Sequence, residues 1–206
     1  MVHENKTIIE KAGELYYQYG IKSITMDDVA RELGISKKTL YQFVKNKTDL
    51  VKKVVDFEIR KRTGEFKELN KSKLNAIEEL FEVKRQINYM LEKHNPSMHY
   101  DLRKYYPDIF KRLQVSKREG MFKSIIFNLA KGKKEGLYRK EIDNEIIARI
   151  QVARAENVDE SSYVSIRDYT SRKFFSELFI YHIRGIANSK GIRFLEDNID
   201  KLKIKE

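Results

Sequence analysis

Lys38, Tyr41 and Gln42 fall at positions i, i+3 and i+4 of the segment Ser36-Lys-Lys-Thr-Leu-Tyr-Gln-Phe-Val44. That spacing sets three hydrogen-bonding side chains on one face of a helix. The chemistry open to them is recognition: ammonium and amide groups bond to base edges in a DNA major groove, and a tyrosine adds a hydroxyl and an apolar ring. Lys37 and Thr39 stand at the N-terminal end of the same segment, where a recognition helix meets the bases. Phosphate contact calls for other groups, namely Thr25 and the free amides at the start of a preceding helix, and Lys47 beside the start of the next. Thr25, Ser36, Lys37, Lys38, Thr39, Tyr41, Gln42 and Lys47 are the candidate DNA-contacting set. The local charge suits it, since Lys37, Lys38, Lys45, Lys47, Lys52 and Lys53 face only Asp49 in that stretch.

Catalytic chemistry finds no comparable set. The chain has no cysteine, which removes thiolate ligands, thiol nucleophiles and disulfides together. Its four histidines, at 3, 94, 99 and 182, show no paired spacing with carboxylates, so no metal is expected. No nucleophile-base pair and no phosphate-cradling glycine loop can be read, and neither an enzyme nor a cofactor is expected.

Several elements must position the recognition face. Ile8, Ile9, Ala12, Leu15, Tyr16 and Tyr19 recur at helical spacing from Lys6 to Tyr19, and Gly20 follows as a stop. Thr25 ahead of Met26-Asp27-Asp28 caps a second helix with inner face Val29, Ala30 and Leu33, and Gly34 ends it. Ser36 caps a third, whose Leu40 and Val44 point inward. Thr48 is expected to cap a long charged helix running to about Asn70. Further helices are expected from Leu74 to His94 with Asn95-Pro96 as terminator, from Pro107 through Leu129 with Gly132 and Gly136 closing it, from Asp143 over Ile146, Ile147 and Ile150, and from Ile166 to Asn188; residues 156–165 read as a polar loop.

Composition agrees with an all-α protein: two prolines and nine glycines in 206 residues, with 35% charged. The expected organisation is a three-helix helix-turn-helix domain over residues 1–50 and a helical effector-binding and dimerisation domain over 51–206. No signal-peptide core or membrane-length apolar run is seen, so a cytoplasmic protein without membrane partners is expected. The net charge of +11 is weaker support for DNA binding than it looks. Residues 1–60 carry 11 basic against 9 acidic groups, 61–140 carry 20 against 10, and 141–206 carry 11 against 12. The basic middle third reads as a solvated surface, with a site for an anionic effector as the alternative.

The run from Ile24 to Leu50, with the alanine of the second helix, the glycine of the turn, Thr39-Leu40-Tyr41 and Lys47-x-Asp49-Leu50, resembles the signature of the TetR family of bacterial repressors. The resemblance implies base-reading and backbone-touching roles for Lys37, Lys38, Thr39, Tyr41 and Gln42, and a phosphate-contacting lysine at Lys47. Phe43 departs from the tyrosine or histidine of many relatives and cannot donate to phosphate. Two later segments, Lys131–Arg139 and Tyr181–Ile192, are similar to the family's loop before the penultimate helix and to its final-helix ending.

The family further implies an effector pocket among the middle helices, for which this chain supplies Phe81, Tyr89, Met90, His94, Tyr106, Phe110, Phe122 and Asn128. It implies a homodimer interface on the last two helices, with Phe175, Leu178, Phe179, His182 and Ile186 as candidates; the apolar residues of that segment cover more than one stripe. The expected partners are palindromic double-stranded operator DNA, a second copy of the chain and an unknown small-molecule effector. A helix-turn-helix protein without small-molecule control, such as an architectural or accessory factor, is the alternative.

Overall fold

The computed structural model describes residues 2–92, 96–156, 163, 165, 168 and 171–201. Among these, helices account for the regular structure: α1 Val2–Tyr19, α2 Met26–Glu32, α3 Lys37–Phe43, α4 Lys47–Asn70, α5 Ala76–Glu92, α6 Pro96–Tyr105, α7 Pro107–Lys134, α8 Asn144–Glu156, α9 Arg172–Ile186 and α10 Ser189–Asp197. A single bridge joins Tyr138 to Ala187. The fold is all-α, as the composition implies. No helix among the described residues is long and apolar enough to cross a membrane.

The chain folds as two compact units, one of residues 1–67 and 94–117, the other of residues 68–93 and 118–206. The sequence-expected boundary at residue 50 therefore lies inside α4, about one turn from its start. In the first unit Ala12 and Tyr16 of α1, Val29 of α2, Leu40 of α3, Leu50, Val51 and Val54 of α4, and Met98 and Leu102 of α6 form one buried cluster. In the second, Ala76 and Ile77 of α5, Leu129 of α7, Leu137, Tyr138, Ile183 and Ile186 of α9 and Leu195 of α10 form another.

Several boundaries differ from expectation for local reasons. Helix α4 is capped by Asn46, whose Oδ1 accepts the Asp49 amide at 2.9 Å, not by Thr48. Asn75 caps α5, accepting the Ile77 and Glu78 amides at 3.0 and 3.1 Å. Helix α6 has no counterpart in the sequence reading: Pro96 looks like a terminator but occupies its first turn, where the missing N–H costs nothing. Gly132 does not close α7, which continues to Lys134; its hydrogen admits the Tyr138 ring, whose Cδ2 lies 2.1 Å from where a Cβ would stand. Finally, the chain turns at Ala187–Asn188, and Asn188 caps a separate helix, α10, through the Lys190 and Gly191 amides.

Candidate nucleic-acid interface

The two short helices around Gly34 are held by reciprocal caps. Thr25 Oγ1 accepts the Asp28 amide at 3.1 Å, while Asp28 Oδ2 accepts the Thr25 amide at 2.9 Å and the Thr25 hydroxyl at 2.7 Å. The Thr25 hydroxyl and the Asp28 carboxylate thus each supply an acceptor that an uncapped helix start would lack. These bonds, with Arg31 alongside, hold the Asp28 carboxyl below its usual value. Gly34 takes φ +65, the left-handed region that favours glycine. From there Ile35 N–H returns to Ala30 O at 3.0 Å. Ser36 Oγ then accepts the Thr39 amide at 3.0 Å and starts α3 at a fixed angle to α2.

On α3, Leu40 and Val44 are buried and anchor the helix to the first unit's core. Lys38, Tyr41 and Gln42 are exposed together on the opposite side, with Tyr41 at 43%. This is an unobstructed face bearing ammonium, phenol and amide groups on a rigid support.

Other expected contacts are engaged elsewhere. Lys37 Nζ lies 3.0 Å from Asp27 across the turn, so its ammonium staples α3 to α2. The Thr39 hydroxyl sits 2.8 Å from Ser36 Oγ, within the cap. Both Thr25 donors face Asp28, and a phosphate there would have to compete with that carboxylate. Phe43 is half-buried against the core, where its lack of a donor is no liability.

Lys47, in the first turn of α4, is half-buried and donates to Lys22 O at 3.3 Å. Burial holds its ammonium below the ordinary lysine value, against the attraction of Asp101 and Asp28. Asp49 fixes this corner by accepting the Lys45 amide at 3.0 Å and pairing with Lys53 at 3.2 Å. The sequence reading has Asp27 and Asp28 as first-turn acids of α2 but missed the bonds they make to Lys37 and Thr25, and missed Asp49 as a positioning group. For Asp28 the signal was available, since an acid at the third helical position after a threonine cap is capping-box chemistry.

The candidate pocket residues do not come together in one unit. Tyr106 and Phe110 pack against the first unit's core; Phe81 packs against the second's. Tyr89 is exposed, 55%, and Phe122 is half-buried. Asn128 is buried in a closed polar network, donating to Ala76 O and Glu79 Oε2 at 2.8 and 3.0 Å and accepting from the Tyr138 hydroxyl at 3.0 Å. The Met90 side chain and His94 lie outside the described residues. An open cleft of about 890 Å³ lies in the second unit between Tyr138–Glu141 and Ala187–Glu196, and none of the eight candidates lines it.

Of the dimer candidates, Phe175 and Ile186 are buried in the second unit. Leu178 and Phe179 are half-buried. His182 bonds to Gln151 at 3.0 Å, and burial, with Arg154 nearby, lowers its pKa to about 4. The exposed apolar groups of α8 and α9 are instead Ile146 at 56%, Ile150 at 53% and Tyr181 at 80%. Ile146 and Ile150 lie outside the core, and Ala148 is the fully buried residue of that helix.

Known proteins share these features. Residues 8–54 match the model of bacterial regulatory proteins of the tetR family. An uncharacterized HTH-type transcriptional regulator of Bacillus subtilis, YvaF, is 24% identical over 188 residues, 89% of this chain and 95% of that protein. A Staphylococcus aureus HTH-type regulator, SAB2452, is 32% identical over 90 residues, and there the match spans 43% of this chain and about half, 47%, of the relative. Among solved structures, a gamma-butyrolactone receptor described as ArpA-like superimposes with a TM-score of 0.61 at 15% identity, over 98% of this chain and 99% of that one, a likeness of fold. With its helix-turn-helix inside the matched segment and its helical fold shared along nearly the whole chain, the protein carries the DNA-binding segment of the tetR family of bacterial regulatory proteins on a fold like that of solved regulators.

Proposed function

We propose that the chain is a ligand-responsive repressor that binds palindromic operator DNA as a homodimer in the cytoplasm. The observation that carries the reading is the exposed Lys38-Tyr41-Gln42 face of α3, set on a helix whose other side is locked into the core by Leu40 and Val44. Lys38 and Gln42 read base edges, Tyr41 contributes its hydroxyl and ring, and Lys47 leaves Lys22 O for a phosphate.

Residues 1–50 carry the reading head, and residues 51–206 pair the chains and receive the effector. Two chains then present two α3 helices to successive major-groove faces, and an effector acts by changing their separation. Ile146 and Ile150 of α8 with Tyr181 of α9 supply the exposed apolar surface that a second copy would cover. The similarity of fold to a gamma-butyrolactone receptor supports a small organic effector. No catalytic step is assigned.

The test has two stages. A labelled duplex selected from random sequence is titrated with the full chain, with saturation expected at two chains per duplex. Compounds that raise the melting temperature are then added to the complex. Release of the duplex by such a compound is the expected result. Saturation at one chain, or stabilising compounds that leave the complex intact, would contradict dimeric or effector-controlled binding respectively.

A further inference from the structure

Helix α6 carries a basic and aromatic ridge for which neither the recognition helix nor the family signature has a use. Lys22, in the turn between α1 and α2, donates from Nζ to the Tyr105 hydroxyl at 3.0 Å and lies 4.9 Å from that ring's centroid. Lys104 donates to the Tyr100 hydroxyl at 2.9 Å and lies 5.3 Å from the Tyr100 centroid and 5.5 Å from that of Tyr105. Tyr100 and Tyr105 are 55% and 40% exposed, and Lys22, Arg103 and Lys104 are exposed beside them. In both pairs the tyrosine oxygen accepts from the ammonium, which leaves each phenol O–H to be donated.

The ridge is positively charged and firmly mounted. Asp101, one residue from the ridge's centre, is 7% exposed and turned inward, where its Oδ2 accepts the Lys22 amide at 2.7 Å. The nearest exposed acid in sequence is Asp108, in the first turn of α7. Met98 and Leu102 bury the other face of α6 in the cluster that also holds α1 to α4. The ridge is therefore rigid with the helix-turn-helix. It is continuous with the phosphate anchor as well, because the same Lys22 that bonds to Tyr105 accepts Lys47 through its carbonyl.

We propose that Lys22, Lys104 and the hydroxyls of Tyr100 and Tyr105 form a second phosphate-binding surface that grips the DNA backbone flanking the bases read by α3. Ammonium and phenol donors interleaved along one edge are suited to a row of phosphates, and such contacts add affinity without sequence preference. The inference rests on the DNA-binding reading above and extends its footprint from the helix-turn-helix to α6.

The test uses the full chain and a duplex selected from random sequence for binding to it, with at least ten flanking base pairs on each side. Anisotropy titrations between 50 and 200 mM salt compare wild type with Lys22→Ala, Lys104→Ala, Tyr105→Phe and, as a control for generic charge loss, Lys190→Ala on α10. Each lysine variant of the ridge is expected to lower the salt slope by about 1.8, about 0.9 for each of the two chains on the duplex, so that wild type loses about 12-fold more affinity than the variant across that range. Tyr105→Phe should weaken binding with the slope unchanged, and Lys190→Ala should match wild type. With the flanks trimmed away, wild type and ridge variants should converge. Ridge variants with the wild-type slope on the long duplex, or a fall equal to that of Lys190→Ala, would overturn the proposal. So would a change confined to melting temperature, which would mean that Arg103 and Lys104 serve only the C-terminus of α6. Failure of wild type to select any duplex would overturn the DNA-binding reading itself.

Discussion

Alanine in place of glycine should act with opposite sign at two helical positions, Gly132 and Gly64. At Gly132 the added Cβ would stand 2.1 Å from Cδ2 and 2.2 Å from Cε2 of Tyr138, so the ring has to retreat by about 1.5 Å to reach ordinary contact. Tyr138 is fully buried and its hydroxyl holds Asn128, which in turn holds Ala76 O and Glu79. Overpacking costs about 1–3 kcal/mol, and leaving a buried polar group of that network unpaired costs about 1–3 kcal/mol more. The helix preference for alanine returns about 1 kcal/mol, for a net loss of roughly 3 kcal/mol, or about 10 °C in Tm for a chain of this size. Gly64, inside α4, has nothing within 4 Å of its Cβ position, and there alanine should raise Tm by about 2 °C through backbone entropy alone. Differential scanning calorimetry of both variants decides the matter. A Gly132→Ala protein as stable as wild type would refute the close packing of Tyr138 on α7.

Lys47→Ala should weaken binding to all duplexes alike and lower the salt slope by about 1.8, about 0.9 for each of the two chains, whereas Gln42→Ala should keep the slope and relax base preference at one position per half-site by about 1–3 kcal/mol; competition titrations with single-base variants of the selected duplex separate the two. Melting temperature should fall in two stages on acidification. His182, neutral in the fold with a pKa of about 4, favours the unfolded chain once that chain protonates near 6.5, so stability declines from about pH 6.5 toward 4, and His182→Gln should remove this first stage. Asp28 and Asp49, held below their ordinary values by hydrogen bonds from Thr25 and Lys45, contribute stability that is present above about pH 4 and lost as the pH falls through their folded values; Asp28→Asn should therefore differ from wild type at pH 6 and converge with it at pH 2. Ile150→Asp, at a 53% exposed position, should halve the sedimentation mass and make Tm independent of protein concentration, while an unchanged mass would remove α8 from the pairing surface.

The helix-turn-helix was legible because its determinants are local. Thr25, Gly34 and Ser36 act within three or four residues, and Leu40 and Val44 mark the inner face by spacing alone. Groups that act across the chain were not. Asp27 captures Lys37 from ten residues away, and Asp101 reaches the Lys22 amide from seventy-nine, so neither pairing leaves a periodic trace. Helix α6 was hidden because Asn95-Pro96 signals a stop and a first-turn proline with equal force. Gly132 was misread in the same way, since a glycine that admits a tyrosine ring cannot be told from one that ends a helix. On α8, Ile146, Ile147 and Ile150 spread over more than one face, and periodicity cannot say which is covered. The aromatic and methionine residues of the middle helices suit core or pocket equally well, and Tyr106, Phe110 and Phe81 turn out to pack against core.

The central claim is that the exposed face of α3 reads DNA sequence. Selection from a random-sequence duplex library, run in parallel with wild type and a Lys38→Ala, Tyr41→Ala, Gln42→Ala triple variant, tests it most directly. Wild type should enrich an inverted repeat with half-sites centred one helical turn, about 34–36 Å, or a multiple of it apart, and the triple variant should keep weak, salt-sensitive binding while enriching nothing. Enrichment of the same repeat by the triple variant, or of no sequence by wild type, would contradict the account.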